Sequence, residues 1–132
     1  MAEIPAAFLD LLTEKKSIAN LATIQPDGSP QVTPVWFDYT NGHIRVNTAK
    51  GRVKARNMSV GTNVAMSILD PDNPYRYIQI RGTVSNETTD GAVAHIDSLA
   101  KKYLGKDEYP WHNAKDTRVI YEITPGTSQT MG

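Results

Sequence analysis

Apolar positions recur at two different spacings along this chain, and each change of spacing marks an element. Ile4, Phe8, Leu11 and Leu12 fall on one helical stripe, so residues 3–14 are expected to form a short amphipathic helix. Pro5 suits its first turn, where a missing N–H costs nothing. A helix that short holds only if its stripe packs on something. Residues 17–25 (SIANLATIQ) read as a strand, and Pro26-Asp27-Gly28-Ser29 as a tight turn. Residues 30–39 (PQVTPVWFDY) read as the returning strand. Pro34 inside it cannot donate to a ladder, which predicts an edge, a bulge or a place where something other than a strand lies alongside. Thr40-Asn41-Gly42 is a second hairpin turn, and residues 43–47 a third strand.

Residues 51–60 are expected to form a short helix stopped by Gly61, because Ala55, Arg56, Asn57 and Met58 carry no β-branching. Residues 63–69 and 75–85 read as strands separated by a loop at 70–74, with Gly82 marking a bulge or a close backbone approach. Asp90 is expected to cap the best helix of the chain. Its apolar face is Ala92, Val93, Ile96, Leu99, Ala100, Tyr103 and Leu104, and Gly105 ends it. A polar loop over 106–116 carries Tyr109, Pro110, Trp111 and His112. Residues 117–123 form a last strand, and the tail beyond Pro125 is expected to be disordered or bound to a partner. Six strands joined mainly by hairpins, with helices inserted late, predict a mostly β fold, an antiparallel sheet closed or nearly closed into a small barrel. No βαβ alternation is present, so a doubly wound nucleotide fold is not expected.

Composition narrows the picture. At 132 residues the chain is expected to be a single domain, 1–132, with roughly two thirds of its unfolded surface buried. Its formal net charge of +0 argues against a general nucleic-acid binder. With no cysteine, disulfides, thiol nucleophiles and thiolate metal sites are out of reach. Neither a signal-peptide pattern nor an apolar run of membrane-spanning length is present, so no membrane association is expected and a cytoplasmic location is the default.

Against that balanced background one stretch stands out. Asn47 to Met58 (NTAKGRVKARNM) sets Lys50, Arg52, Lys54 and Arg56 around Gly51, directly after a strand. The interval 43–69 contains no Asp or Glu. Backbone N–H groups at a helix start, with Lys and Arg heads beside them, make an anion site, and phosphate is the expected anion. A solvated basic face is the other reading. RNA binding would call for aromatics within the Lys/Arg run, and none lies between Lys50 and Arg56.

Other chemistry is sparse. His43, His95 and His112 lie far apart without ligand spacing, so no metal site is expected and they read as surface or structural residues. The G-x-S-x-G elbow, the P-loop and the G-x-G-x-x-G fingerprint are all missing. An enzyme built on these residues needs a cofactor to carry the reaction. Trp36 and Trp111 read as core or interface residues, and the segment 109–112 as a surface loop or a lid.

Three stretches taken together, SIANLATIQPDGSPQVTPVWFDY, IRVNTAKGRVKARNM and YIQIRGTV, resemble the pyridoxamine 5′-phosphate oxidase-like split-barrel family. Within it the chain is most similar to the small enzymes that use the deazaflavin coenzyme F420 rather than FMN. The resemblance implies a six-stranded split β-barrel and a homodimer with cofactor sites between the subunits. It implies an F420H2-dependent reductase that passes a hydride to an electron-poor conjugated small molecule. FMN-dependent oxidase or reductase activity is the alternative, and a non-catalytic F420 or haem carrier another. By resemblance the phosphate falls to Thr48, Lys50, Arg52 and Lys54, with Asn57 nearby, Arg52 and Lys54 being the best matches and Arg56 solvated. Gln31, Thr33, Pro34 and Val35 would lie along the tricyclic ring, and Tyr77 where a neighbouring subunit reaches the cofactor. FMN-type oxidases place an Arg in the second strand and a Lys at its end. Val32 and Phe37 stand at those positions here, which favours F420. No catalytic side chain is identified; solvent, Tyr77 and Tyr109 are the candidate proton donors.

Overall fold

In a computed structural model, residues 3–132 are described, and they form a strongly curled antiparallel sheet with short helices at its ends. A single 3-10 turn over Ala6–Phe8 runs into α1 (Leu9–Thr13), with Pro5 at its start as expected. The strands are β1 (Ala19–Ile24), β2 (Pro30–Val35), β3 (Phe37–Thr40), β4 (His43–Ala49), β5 (Asn63–Asp70), β6 (Asn73–Thr88) and β7 (Arg118–Met131). Between them lie α2 (Val53–Asn57) and α3 (Ala92–Leu104).

The sheet order is β2-β1-β5-β6-β7-β4-β3. Its two edges, β2 and β3, are consecutive in the chain and joined through Trp36 alone. The sheet therefore curls until its edges meet, but the seam carries no ladder. This is a split barrel. It has seven strands rather than six, because the expected 30–39 strand breaks at Trp36. β2 pairs with β1, whereas β3 pairs with β4 on the far edge. Pro34 sits in edge strand β2 opposite Asn20, where its missing N–H takes nothing from a neighbour.

Alternation on every strand sends one face inward. Leu21, Phe37, Ile44, Val46, Ile68, Ile78, Ile80, Val84 and Ile123 make the fully buried interior, plugged at one end by Leu11 and Leu12. α1 is marginal alone and is held by those two leucines. The Asn41-Gly42 hairpin has both residues at positive φ, 53° and 78°, as a two-residue turn of matching twist requires.

Several features differ from the pattern reading. The tail after Pro125 is ordered. β6 is 16 residues long, and its first half needs a partner, which β7 supplies as far as the Tyr77–Met131 pair. Pro125 is tolerated because the ladder shifts register there, between Arg81 and Gly82. A Cβ at Gly82 would stand 2.6 Å from the Thr124 carbonyl oxygen, which explains the glycine. Residues 70–74 form no loop: β5 ends at Asp70 and β6 starts at Asn73. Asp90 does not cap α3. Gly91, in a left-handed conformation, holds the cap position, and the Asp90 N–H is taken by Thr88 Oγ1 at 3.0 Å. α3 buries Ala92, His95, Ile96, Leu99 and Ala100, while Val93 and Leu104 face outward. α2 spans only Val53–Asn57, and Gly61 instead donates its N–H to Val84.

Candidate functional site: a cationic and aromatic cleft at the seam

The seam at Trp36 opens into a cleft of about 190 Å3. β2 contributes Pro34 and Val35, β4 contributes Asn47 and Thr48, and the start of α2 contributes Arg52 and Lys54. α3 adds Ile96 and Leu99, the 106–116 loop adds Tyr109 and Trp111, and β7 begins with Arg118. Every one of these pieces is placed by the fold rather than by a local motif.

α2 is pinned on the barrel so that its first residues face the cleft. Tyr121 Oη donates to the Ala55 carbonyl at 3.1 Å, and Asn57 Nδ2 donates to Thr23 Oγ1 at 3.0 Å. Thr23 in turn meets Gln31 Oε1 at 3.2 Å. At five residues α2 is too short for its dipole to carry the site. Full side-chain charges dominate instead. The Lys54 amine is half-buried; desolvation first, then Arg52 and Arg118 beside it, lower its pKa below the ordinary lysine value. Arg52 has one weak carboxylate neighbour, Asp116 at 3.5 Å. Arg118 is 7% exposed and lies 5.0 Å from the centroid of the Tyr109 ring. Among the described residues no carboxylate stands within 4 Å of its guanidinium. A buried arginine is ordinarily paired, so this cluster has positive charge free to take an anion.

Two buried polar atoms are left over in the cleft, of which the Thr48 hydroxyl can donate to an anion and the Asn47 amide oxygen can only accept. Thr48 Oγ1 and Asn47 Oδ1 line the cleft region without a hydrogen-bond partner. Asn47 cannot turn its amide to satisfy that oxygen. Its Nδ2 donates to the Ala92 carbonyl at 2.8 Å and meets His95 Nδ1 at 3.0 Å. His95 Nε2 then donates to Asp38 Oδ2 at 3.1 Å, and Arg45 grips the same carboxylate through two bonds of 2.8 and 2.7 Å. Burial works against the Asp38 charge, but His95 and Arg45 outweigh it and hold its carboxyl below the usual range.

The opposite wall is aromatic. Trp36 stacks on Tyr103 at 5.3 Å and meets Tyr109 edge-on at 6.0 Å. Tyr109 also meets Trp111 at 5.5 Å. The Tyr103 hydroxyl donates to the Ser17 carbonyl at 2.5 Å, and burial pushes its pKa up to about 12, so it stays a donor that fixes this wall.

Of the residues expected from sequence, Pro34, Val35, Thr48, Arg52 and Lys54 come together here. Gln31 and Asn57 sit behind the cleft, joined through Thr23 in docking α2 on β1 and β2. Thr33, beside them on β2, has a buried hydroxyl without a partner. Lys50 is exposed, its backbone N–H bound to Thr117, and Arg56 is exposed as expected. Tyr77 lies elsewhere, on the outer face of β6 opposite Leu69. Tyr109, named from sequence as a candidate proton donor, also lines the cleft, and so do residues that sequence reasoning passed over or placed elsewhere, among them Trp36, Trp111 and Arg118. The β4–β7 register, which sets Arg118 against Ala49, brings the last of them in.

Fold and cleft together define a split-barrel protein with a cationic and aromatic pocket at its seam. The family model for pyridoxamine 5′-phosphate oxidase matches residues 4–132, and the chain belongs to that family. It is 34% identical to a structure described as an F420 reductase, with 96% of this chain and 98% of that one covered and a TM-score of 0.81. A conserved hypothetical protein from Mycobacterium tuberculosis shares the fold at 20% identity, 99% and 86% coverage and a TM-score of 0.74. So does an FAD and haem binding protein from Mycobacterium smegmatis, at 18% identity, 98% and 71% coverage and a TM-score of 0.69.

Proposed function

We propose that this protein is an F420H2-dependent reductase that works as a homodimer. The observation that carries the reading is the cation cluster of Arg52, Lys54 and Arg118, balanced by one carboxylate 3.5 Å from Arg52, beside the orphaned Thr48 hydroxyl. Those residues fit a phosphate-bearing cofactor, and the 34% identity to an F420 reductase over nearly the whole chain supports reading it as the deazaflavin. Val32, 64% exposed on the outer face, and Phe37, fully buried, stand where FMN-type oxidases carry basic residues, which also favours F420. Reduced F420 supplies a hydride. The chain's part is to bind and orient: Arg52, Lys54, Arg118 and Thr48 hold the phosphate end, and Pro34, Val35 and Trp36 border the ring. Ile96, Leu99 and Trp111 shield an electron-poor conjugated substrate from water.

The outer sheet face supports the dimer. Ala22, Ile24, Val32 and Ala65 form an apolar surface there, with Ile24 50% exposed, and Tyr77 stands on the same face. Pairing through it would place Tyr77 at the interface. The test is a parallel fluorescence titration with F420 and FMN, with the mass in solution measured by sedimentation. Tight F420 binding, weak FMN binding and a dimer are expected. A yellow protein that releases FMN on denaturation would sink the F420 reading, and a monomer would sink the shared site.

A further inference from the structure

We propose that Asp97 is a positioning residue for the anion site: its carboxylate straps the 106–116 loop to α3, seating Tyr109 against the cleft and thereby fixing the Arg118 guanidinium. This deepens the reading above and rests on the cationic end of the cleft taking a phosphate.

Asp97 lies on α3, is not itself a cleft-lining residue and makes no bond to Arg118. One of its oxygens, Oδ1, accepts two bonds from the loop: the Tyr109 N–H at 2.8 Å and His112 Nε2 at 2.7 Å. The Tyr109 N–H is the first cause of an Asp97 carboxyl held below its usual range, with His112 adding to it. Apart from those two, the loop's remaining side-chain ion pairs with the body are exposed Lys101 with Asp107 at 2.9 Å and Arg52 with Asp116 at 3.5 Å, among the described residues. Most of the loop is solvent-exposed, and Trp111 is 62% exposed. Such a segment orders only if something offsets its lost conformational freedom. Tyr109 is the hub of what the strap secures. Its ring meets Trp36, Trp111 and His112 edge-on and lies 5.0 Å from the Arg118 guanidinium carbon. Arg118 has no carboxylate to orient it among the described residues, so the Tyr109 face is the group that holds it. Without Asp97 the ring is free to leave, and the arginine loses its fixed direction toward the anion.

Trp36 and Trp111 are the chain's two tryptophans and both line the cleft, so intrinsic fluorescence reports on the site directly. The experiment titrates inorganic phosphate into wild type, Asp97→Ala, Asp97→Asn, His112→Ala, Arg118→Gln and the Asp97→Ala/Arg118→Gln pair. Asp97→Ala should bind phosphate about tenfold more weakly, the worth of one charge-assisted hydrogen bond. Asp97→Asn keeps an oxygen for the Tyr109 N–H and should restore most of that loss. His112→Ala, which releases one tether and barely threatens the fold, should weaken binding about threefold. The double variant should be no weaker than Arg118→Gln alone, because Asp97 acts through Arg118. Wild-type affinity in Asp97→Ala or in His112→Ala, or full addition of the two losses in the double variant, overturns the strap. Since the probe is phosphate, the outcome is independent of which cofactor the protein prefers: failure to bind F420 while phosphate still shows this pattern would break only the proposed function.

Discussion

Two charged clusters of similar size face opposite tasks in this molecule. At the start of β6, Arg76 bonds Asp10 at 2.6 Å and Asp70 at 2.9 Å, while Lys15 bonds Asp70 at 3.0 Å and Asp72 at 2.8 Å. Every charge there has an opposite within reach, and the cluster fastens the N-terminal helix to the barrel. At the seam, Arg52, Lys54 and Arg118 have one carboxylate between them, Asp116, which stands 3.5 Å from Arg52 alone. The first cluster is satisfied internally. The second is not, and under the proposed function an anionic ligand completes it. Charge that the fold needs is paired by the fold, and charge left unpaired at a cleft is the better marker of function.

The largest effect should come from stripping the seam cluster. Replacing both Arg52 and Lys54 by Gln should weaken F420 binding about a hundredfold, two charge-assisted bonds at roughly tenfold each. Turnover at saturation should stay within about twofold, since a phosphate grip supplies affinity rather than rate. The melting temperature should not fall. If the double variant melted well below wild type, the cluster would be structural and the contrast with the Arg76 network would collapse.

Arg76→Met tests the other side. It leaves Asp10 and Asp70 facing each other without their shared partner and removes the bond to the Ala7 carbonyl at 2.7 Å. The melting temperature should drop by several degrees, with F420 affinity unchanged. Loss of binding in a folded Arg76→Met protein would show that the two clusters are not separate.

Only one of these clusters was legible beforehand. The basic run 50–56 is a local feature, and Arg52 and Lys54 could be read from it because no acid lies nearby in sequence. Arg118 could not. In TRVIYEI it looks like the polar start of any strand, and only the β4–β7 register places it against Ala49 at the cleft. Trp36 was equally opaque. Nothing in PVWFDY marks a break; the chain splits there because β2 and β3 are drawn to opposite edges of a closing sheet. The barrel itself was readable, since hairpin turns and alternation are local signals. The ordered tail was not, because its need to pair comes from the length of β6.

Acid should separate the clusters further. The Asp72 backbone N–H, then Lys15 and Arg76, hold the Asp70 carboxyl at about 2 against a starting value of 3.8. A depressed folded pKa means that the stability Asp70 contributes is complete above about pH 3.8 and is lost as the pH falls through 2. Denaturant melts between pH 5 and pH 2 should show wild type weakening more steeply than Asp70→Asn. Parallel curves for the two proteins would mean that the network does not stabilise the native state.

The smallest effect is the most discriminating. The lowered pKa of Lys54 says that the unliganded fold holds this amine against desolvation and against its neighbours Arg52 and Arg118. With the folded pKa below 10.5, the unfolded chain binds more protons as the pH rises toward that value, so native stability should climb there with pH. Lys54→Met removes both the penalty and the climb. The free protein should therefore melt about 2 °C higher at neutral pH, while binding phosphate more weakly than wild type. An anion that fills the site should reverse the order: saturating phosphate should raise the melting temperature of wild type more than that of Lys54→Met. A Lys54→Met protein less stable than wild type in the absence of anion would mean that the amine already has its partner within the chain, and the seam cluster would then be no different in kind from the one around Arg76.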